Sequence, residues 1–187
     1  MPTVSHDVEA LIRDRRTSLL VDPQTPVPDP LVDRLIAAAT WAPNHKRTWP
    51  WRFTVLTGDS RARLGHAMSD AAAEGGAPEA QVLKLRGKYL RSPTVVLVWV
   101  RTDADDAVRR REDRDATSAA VQNMLLVATA HGLASYWGTV ADPLVPTVRD
   151  VAGVGPAHDL VALVYLGWPT GVVAVPPRPD PLVDRFT

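Results

Sequence analysis

The chain has 187 residues, enough for one domain with a substantial core. Lys plus Arg is 21 and Asp plus Glu is 21, so no global field draws nucleic acid or an anionic membrane surface. Without cysteine there is no disulfide, thiolate metal site or cysteine nucleophile; with no apolar signal core in MPTVSHDVEALIRD and no segment of membrane-span length, a cytoplasmic setting is expected.

In chain order, Ser5 to Arg16 reads as a helix with Val8, Leu11 and Ile12 on one face. It ends in RRTS, and the proline-rich linker DPQTPVPDP follows. Asp29-Pro30 supplies an N-cap and a first-turn proline for a second helix, with Leu31, Leu35, Ile36 and Ala39 inward. Pro43 stops that helix. After the turn APNHKRTWPW, Phe53, Val55 and Thr57 alternate with Arg52, Thr54 and Leu56 as in a half-buried strand.

Asp59 to Glu74 reads as a helix carrying Leu64, Ala67, Met68 and Ala71; GGAP interrupts it and Glu79 to Leu90 resumes helically. Thr94 to Val100, TVVLVWV, is a continuous apolar run of strand length, the pattern of a central strand covered on both faces. The run Arg109-Arg110-Arg111-Glu112-Asp113-Arg114-Asp115 reads as a solvated, self-paired helix face. Ala116 to His131 is the longest smooth helix, its Ala116, Ala119, Ala120 and Ala128 suited to close packing, with Gly132 as its stop. A short strand ASYWG, a helix near Pro143 to Val151 and a last apolar strand over Leu160 to Gly167 complete the body. The tail, residues 169–187, is too rich in proline for a helix and should lie extended on something, such as a second subunit. Residues 1–187 therefore form a single α+β domain in which a central sheet is covered by helices on both faces.

Much familiar chemistry is missing. No GxGxxG or GxxxxGK[ST] follows a strand, and there is no GxSxG. The histidines, His6, His45, His66, His131 and His158, lack ligand spacing, so no metal site is expected. An enzyme of this composition needs a bound group to carry the reaction.

Four stretches suit such a group. Arg15-Arg16-Thr17-Ser18 could grip a phosphate with guanidinium and hydroxyl donors, or simply complement the end of the first helix. In the turn after Pro43, Asn44 and His45 could bond a heterocycle edge while Trp49 supplies a face; alternatively the turn is wet and Trp51 plugs the core. In GLASYWGT, the exit Trp137-Gly138-Thr139 lets backbone N–H groups approach a ligand, or is an edge strand with a glycine exit. Arg178, among prolines, is either solvated or held toward a site.

In this order, RRTS, APNHKRTWPWRFTVL, ATSAAVQNMLLVATAHGLASYWGT, VALVYLGWP and the proline-rich tail resemble the short, minimal members of the nitroreductase superfamily of flavin enzymes. The resemblance implies an FMN-binding α+β fold working as an intertwined homodimer, with each of two sites drawing on both chains. By position, Arg15, Arg16 and Thr17 would meet the FMN phosphate and ribityl chain. Pro43, Asn44, His45 and Trp49 would be presented to the flavin ring by the partner subunit. Trp137, Gly138 and Thr139 would cover the flavin near its reactive nitrogen, and Arg178 would be a late phosphate contact. Two departures stand out: Trp49 replaces a glutamine or glutamate, and WGTV replaces WRTG. Both make the pocket less polar and less cationic.

The implied activity is transfer of hydride from NADH or NADPH through FMN to a nitroaromatic, a quinone or a similar small-molecule acceptor. No catalytic side chain is expected, because the flavin carries the chemistry. Two other readings keep the flavin: a dehydrogenase or oxidase of a specialised metabolite, and a flavin-binding protein without turnover.

Overall fold

The computed structural model describes residues 8–102 and 105–186. The expected helical residues Ser5–Asp7, with His6, lie outside them. Ten regular elements follow in order: α1 (Val8–Asp14), α2 (Asp29–Ala39), β1 (Trp51–Leu56), α3 (Asp59–Glu74), α4 (Glu79–Lys88), β2 (Thr94–Arg101), α5 (Ala107–Ala130), β3 (Ala134–Gly138), α6 (Val145–Ala152) and β4 (His158–Gly167). The four strands pair antiparallel with one another, in the order β1-β2-β4-β3.

β2 runs through the middle of the molecule because its side chains are apolar on both faces. Val96 and Val98 join Ala162, Val164 and Leu166 of β4 beneath α2 and α5. Val95, Leu97 and Trp99 point the other way, into a core shared with Leu64 and Met68 of α3, Leu85 of α4 and Val148 of α6. The register between β2 and β4 slips after Val98, leaving Val161 as the extra residue of a bulge. Helices thus cover both faces, as expected.

Several local expectations shift. Asp29 is not the N-cap of α2: Pro28 occupies that position, its carbonyl accepting from Leu31 and Val32 N–H at 2.9 and 3.1 Å, and Asp29 is the first helical residue. Val32 joins Leu35 and Ala39 as buried, while Leu31 and Ile36 flank the core. α5 begins nine residues before Ala116, at Ala107, where Asp106 caps Val108 N–H at 2.8 Å. The charged run is therefore helical, yet it is not a purely solvated, self-paired face. Asp113 is buried, and Glu112 reaches His45. α1 stops at Asp14, so Arg15 and Arg16 lie beyond it, and it buries no side chain within this chain. The described part of the tail has no helix or strand, and leaves Val172, Leu182 and Phe186 almost fully exposed. No helix among the described residues is long and apolar enough to cross a membrane.

Candidate functional site

Where α1 ends, the chain turns and runs beside β3. Thr17 bridges Ser135 in parallel sense, and Ser18 N–H donates to Ser135 O at 2.9 Å. This fifth, rudimentary strand sets two of the four candidate stretches edge to edge, RRTS and ASYWGT. Arg16 Nη1 donates to Arg15 O at 2.7 Å, while its Nε is buried with no partner. Burial lowers the pKa of Arg15, and the Arg16 and Arg178 guanidiniums lower it further. Arg178 therefore stands close to Arg15 although 163 positions apart in sequence. Among the described residues none of the three arginines makes an ion pair. Three like charges beside an orphaned N–H make this a place where an anion would be favoured. A cavity of about 360 Å³ opens here, lined by Asp14, Arg16, Ser18, Gly132 and Ala134 together with Val172 and Val175 of the tail.

At the far end of β3 the Trp137 ring packs on the α2/α5 core, Gly138 is buried and Thr139 is exposed. Glycine at 138 has a further reason, internal to the fold. A Cβ there would lie 2.9 Å from Tyr136 Cε1 and 3.1 Å from Tyr165 Cε2, so internal aromatic packing already demands a bare backbone.

The turn after α2 is strained. Lys46, Arg47 and Trp49 adopt φ of 58, 52 and 46°, the left-handed region that costs a residue with a Cβ about 1 kcal/mol or more. Asn44, expected to meet a ligand, uses its amide to hold this turn: Oδ1 accepts Trp49 N–H at 2.8 Å and Nδ2 donates to Thr48 Oγ1 at 3.0 Å. Thr48 Oγ1 in turn donates to the Asp113 carboxylate. His45 Nδ1 lies 2.9 Å from Glu112 Oε2. Pro43, Asn44 and His45 line a cavity of about 510 Å³ with Glu112, Ala116 and Ala119. Trp51 is half-buried against the core, and Trp49, 57 % exposed, leans on it at 5.9 Å between ring centroids.

The four stretches do not meet within one chain. Arg16, Ser18 and Ala134 at the start of β3 line one cavity with Thr129 at the end of α5, whereas Pro43–His45 sit beside Glu112–Ala119. At 1.5 Å per residue, Ala119 and Thr129 are about 15 Å apart along the helix.

Several residues of interest escaped the sequence reading. Trp41, 86 % exposed, joins Trp49, Trp51 and Thr40 around a cavity of about 380 Å³. Lys84, Lys88 and Arg91 gather with Gln81 and Tyr136 around another, of about 620 Å³. Burial lowers the Lys88 pKa first, then the charges of Arg91 and Lys84. The spacing of those cations, four and then three residues on a helix, is a signal that the sequence offered. The Asp113–Thr48 contact offered none, since 65 residues separate its partners.

Comparison with known proteins bears on the family and the fold. A profile of the nitroreductase family matches residues 12–168. YdjA of Escherichia coli K12, whose name assigns it provisionally to the NAD(P)H nitroreductases, is 29 % identical over 182 residues, covering 96 % of this chain and 98 % of that protein. A 5,6-dimethylbenzimidazole synthase of Rhodospirillum rubrum is 31 % identical over 186 residues, covering 86 % of this chain and 85 % of the other. A nitroreductase-like family protein of Bacillus cereus has a solved structure that superposes with a TM-score of 0.81 at 25 % identity, covering 96 % of this chain and 95 % of that one.

Proposed function

The chain belongs to the nitroreductase family, and on that premise we propose that it is an FMN-dependent oxidoreductase. It takes hydride from NADH or NADPH and delivers it to a nitroaromatic, a quinone or a similar small acceptor. The observation that carries this reading is the buried Arg16 Nε, which lacks a partner although Arg16 lines a cavity, with Arg15 adjoining it and Arg178 near enough to lower the Arg15 pKa. That arrangement suits the dianionic phosphate of FMN. The nicotinamide donor is suggested by the name of YdjA.

In this reading FMN supplies the electron-transfer chemistry and the chain positions the reactants. Arg15, Arg16 and Arg178 hold the phosphate, and Thr17 adds a hydroxyl beside the ribityl chain. Trp137, Gly138 and Thr139 offer backbone donors, with the Trp137 ring tucked into the core and out of the way. Lys84, Lys88 and Arg91 raise the positive potential on the Tyr136 side of β3, which favours the arrival of electrons there. Pro43, His45 and Trp49 form the opposite wall. Within one chain that wall and Arg16 line separate cavities, and in this reading the wall comes from a second copy, with a homodimer as the working unit. The exposed Val8 and Ile12 of α1, at 66 and 50 %, and the uncovered apolar side chains of the tail fit such an assembly.

A second reading is favoured by the relative named a 5,6-dimethylbenzimidazole synthase. In that reading of this chain a metabolite, not a nicotinamide, is the electron donor, and oxygen receives the electrons.

Both readings meet one experiment: the visible spectrum of the purified protein, identification of the released chromophore, and anaerobic addition of NADPH and of NADH. Release of FMN and bleaching by either nicotinamide is the expected outcome. A bound flavin that stays oxidised moves the choice to the second reading or to a flavin-binding protein without turnover. A chain that takes up no FMN sinks all three. Arg16→Ala should weaken FMN binding by about tenfold to a hundredfold, the worth of one charge-assisted hydrogen bond, without lowering thermal stability of the flavin-free protein.

A further inference from the structure

The turn that carries His45 and Trp49 is held by a clamp that the flavin reading does not require. Trp49 N–H donates to Asn44 Oδ1 at 2.8 Å, Asn44 Nδ2 donates to Thr48 Oγ1 at 3.0 Å, and Thr48 Oγ1 donates to Asp113 Oδ1. From the other side Arg101 fastens the same backbone: its N–H donates to Pro50 O at 2.8 Å and its Nη2 to Thr48 O at 3.4 Å. The chain of bonds ends in Asp113, which is 3 % exposed on α5 and whose own carbonyl accepts Thr117 Oγ1 at 2.8 Å.

A turn needed only to reverse the chain would place glycine or asparagine at left-handed positions. This one places Lys46, Arg47 and Trp49 there. Such a conformation persists only where the surroundings over-determine it, and here they do so through one buried carboxylate. What the clamp fixes is a tryptophan ring that faces outward. With Trp41, Trp51 and Thr40 it walls a cavity of about 380 Å³, and indole faces dominate that wall. A ring fixed on a rigid backbone has little freedom left to lose when a flat molecule stacks on it.

We propose that Asp113 is a positioning residue that, through Thr48 and Asn44, locks Trp49 into its left-handed conformation, and that the ring so fixed, with Trp41, selects flat apolar acceptors over small hydrophilic ones. The acceptor half of this statement rests on the flavin reading above. The clamp half stands on the flavin-free chain.

The test uses the FMN-loaded protein with NADPH or NADH and two acceptors, 1,4-naphthoquinone and ferricyanide, the second needing no stacking surface. Thr48→Val removes the hydroxyl link at nearly constant volume. It should raise the KM for naphthoquinone about tenfold, leaving kcat and the ferricyanide rate within about twofold, the scale of a small misplacement of a binding wall. Asp113→Ala should do the same, and Thr48→Ser should restore the parent values. Parallel loss with both acceptors, or no change with either, overturns the proposal. Acrylamide quenching of Trp49, taken as the difference between each variant and its Trp49→Phe counterpart, reads the clamp with no flavin present. If the parent protein binds no FMN, the flavin reading fails on its own. An unchanged Trp49 quenching constant in Thr48→Val then still refutes the clamp, and a changed one upholds it.

Discussion

β2 and the turn over Asn44–Trp49 touch one another, joined where Arg101 N–H meets Pro50 O at 2.8 Å, yet they are built on opposite plans. β2 is regular, apolar on both faces and buried along seven of its eight residues, so its conformation follows from hydrophobic contact alone. The turn is exposed, charged and left-handed at three positions, and its shape depends on a few directed hydrogen bonds. Contact among many atoms tolerates the loss of one partner gradually; a chain of single bonds fails at any link. Stability is concentrated in the first region, and the discrimination between acceptors that we propose would lie in the second.

Substitutions can sharpen or break that contrast. The largest effect is expected from Leu97→Ala, which leaves a cavity between β2 and α3 where the side chain is fully buried. A loss of about 2–5 kcal/mol in denaturant unfolding is expected, with the KM ratio of naphthoquinone to ferricyanide unchanged in whatever folds. A shift in that ratio would mean the two regions are not separable.

Next comes the aromatic core against β2. Tyr89 stacks on Tyr165 at 6.4 Å, and both hydroxyls are buried without a partner. Burial pushes the Tyr89 pKa up to about 12, and burial with the neighbouring Tyr89 raises Tyr165 further. Both groups are held neutral in the fold. Their contribution to stability is therefore complete below the ordinary phenol value near 10 and is lost as pH rises toward the folded value. Unfolding midpoints should accordingly fall between about pH 10 and pH 12. Tyr89→Phe should flatten that decline, and at neutral pH should change stability by no more than about 1 kcal/mol, since it removes an unsatisfied hydroxyl with little change of shape. A steeper alkaline decline in the variant would contradict the assignment.

The smallest effect belongs to the turn. Lys46→Gly relieves a left-handed residue at φ 58° and should stabilise the protein by about 0.5 kcal/mol, the relief of strain less the added freedom of the unfolded chain. Destabilisation would show that the Lys46 side chain holds the turn more firmly than its backbone resists it.

Much of this was legible in the residues. TVVLVWV reads as a doubly covered strand and is one; Asp59–Glu74 and Ala134–Gly138 have the expected limits. RRTS and ASYWGT each stand out in the sequence, but nothing in their spacing indicates that they run edge to edge. The start of α5 is hidden in the sequence because RRREDRD has no apolar period, although its helix propensity is good and Asp106 caps it. The residue type at Asn44 suits bonding to a heterocycle edge, and only the fold shows that its Oδ1 and Nδ2 hold the turn.

The sequence by itself determined where the apolar runs fall, and hence the elements, the two-sided sheet and the chemistry of each candidate stretch, because hydrophobic periodicity is a local property. Tertiary structure alone decided which of those stretches meet. Arg178 comes to Arg15, Asp113 comes to Thr48, and Tyr136 with Tyr165 dictates glycine at 138. Each is a short-range interaction, of charge, of hydrogen bonding or of contact, between residues that the chain keeps far apart until the sheet and α5 have formed.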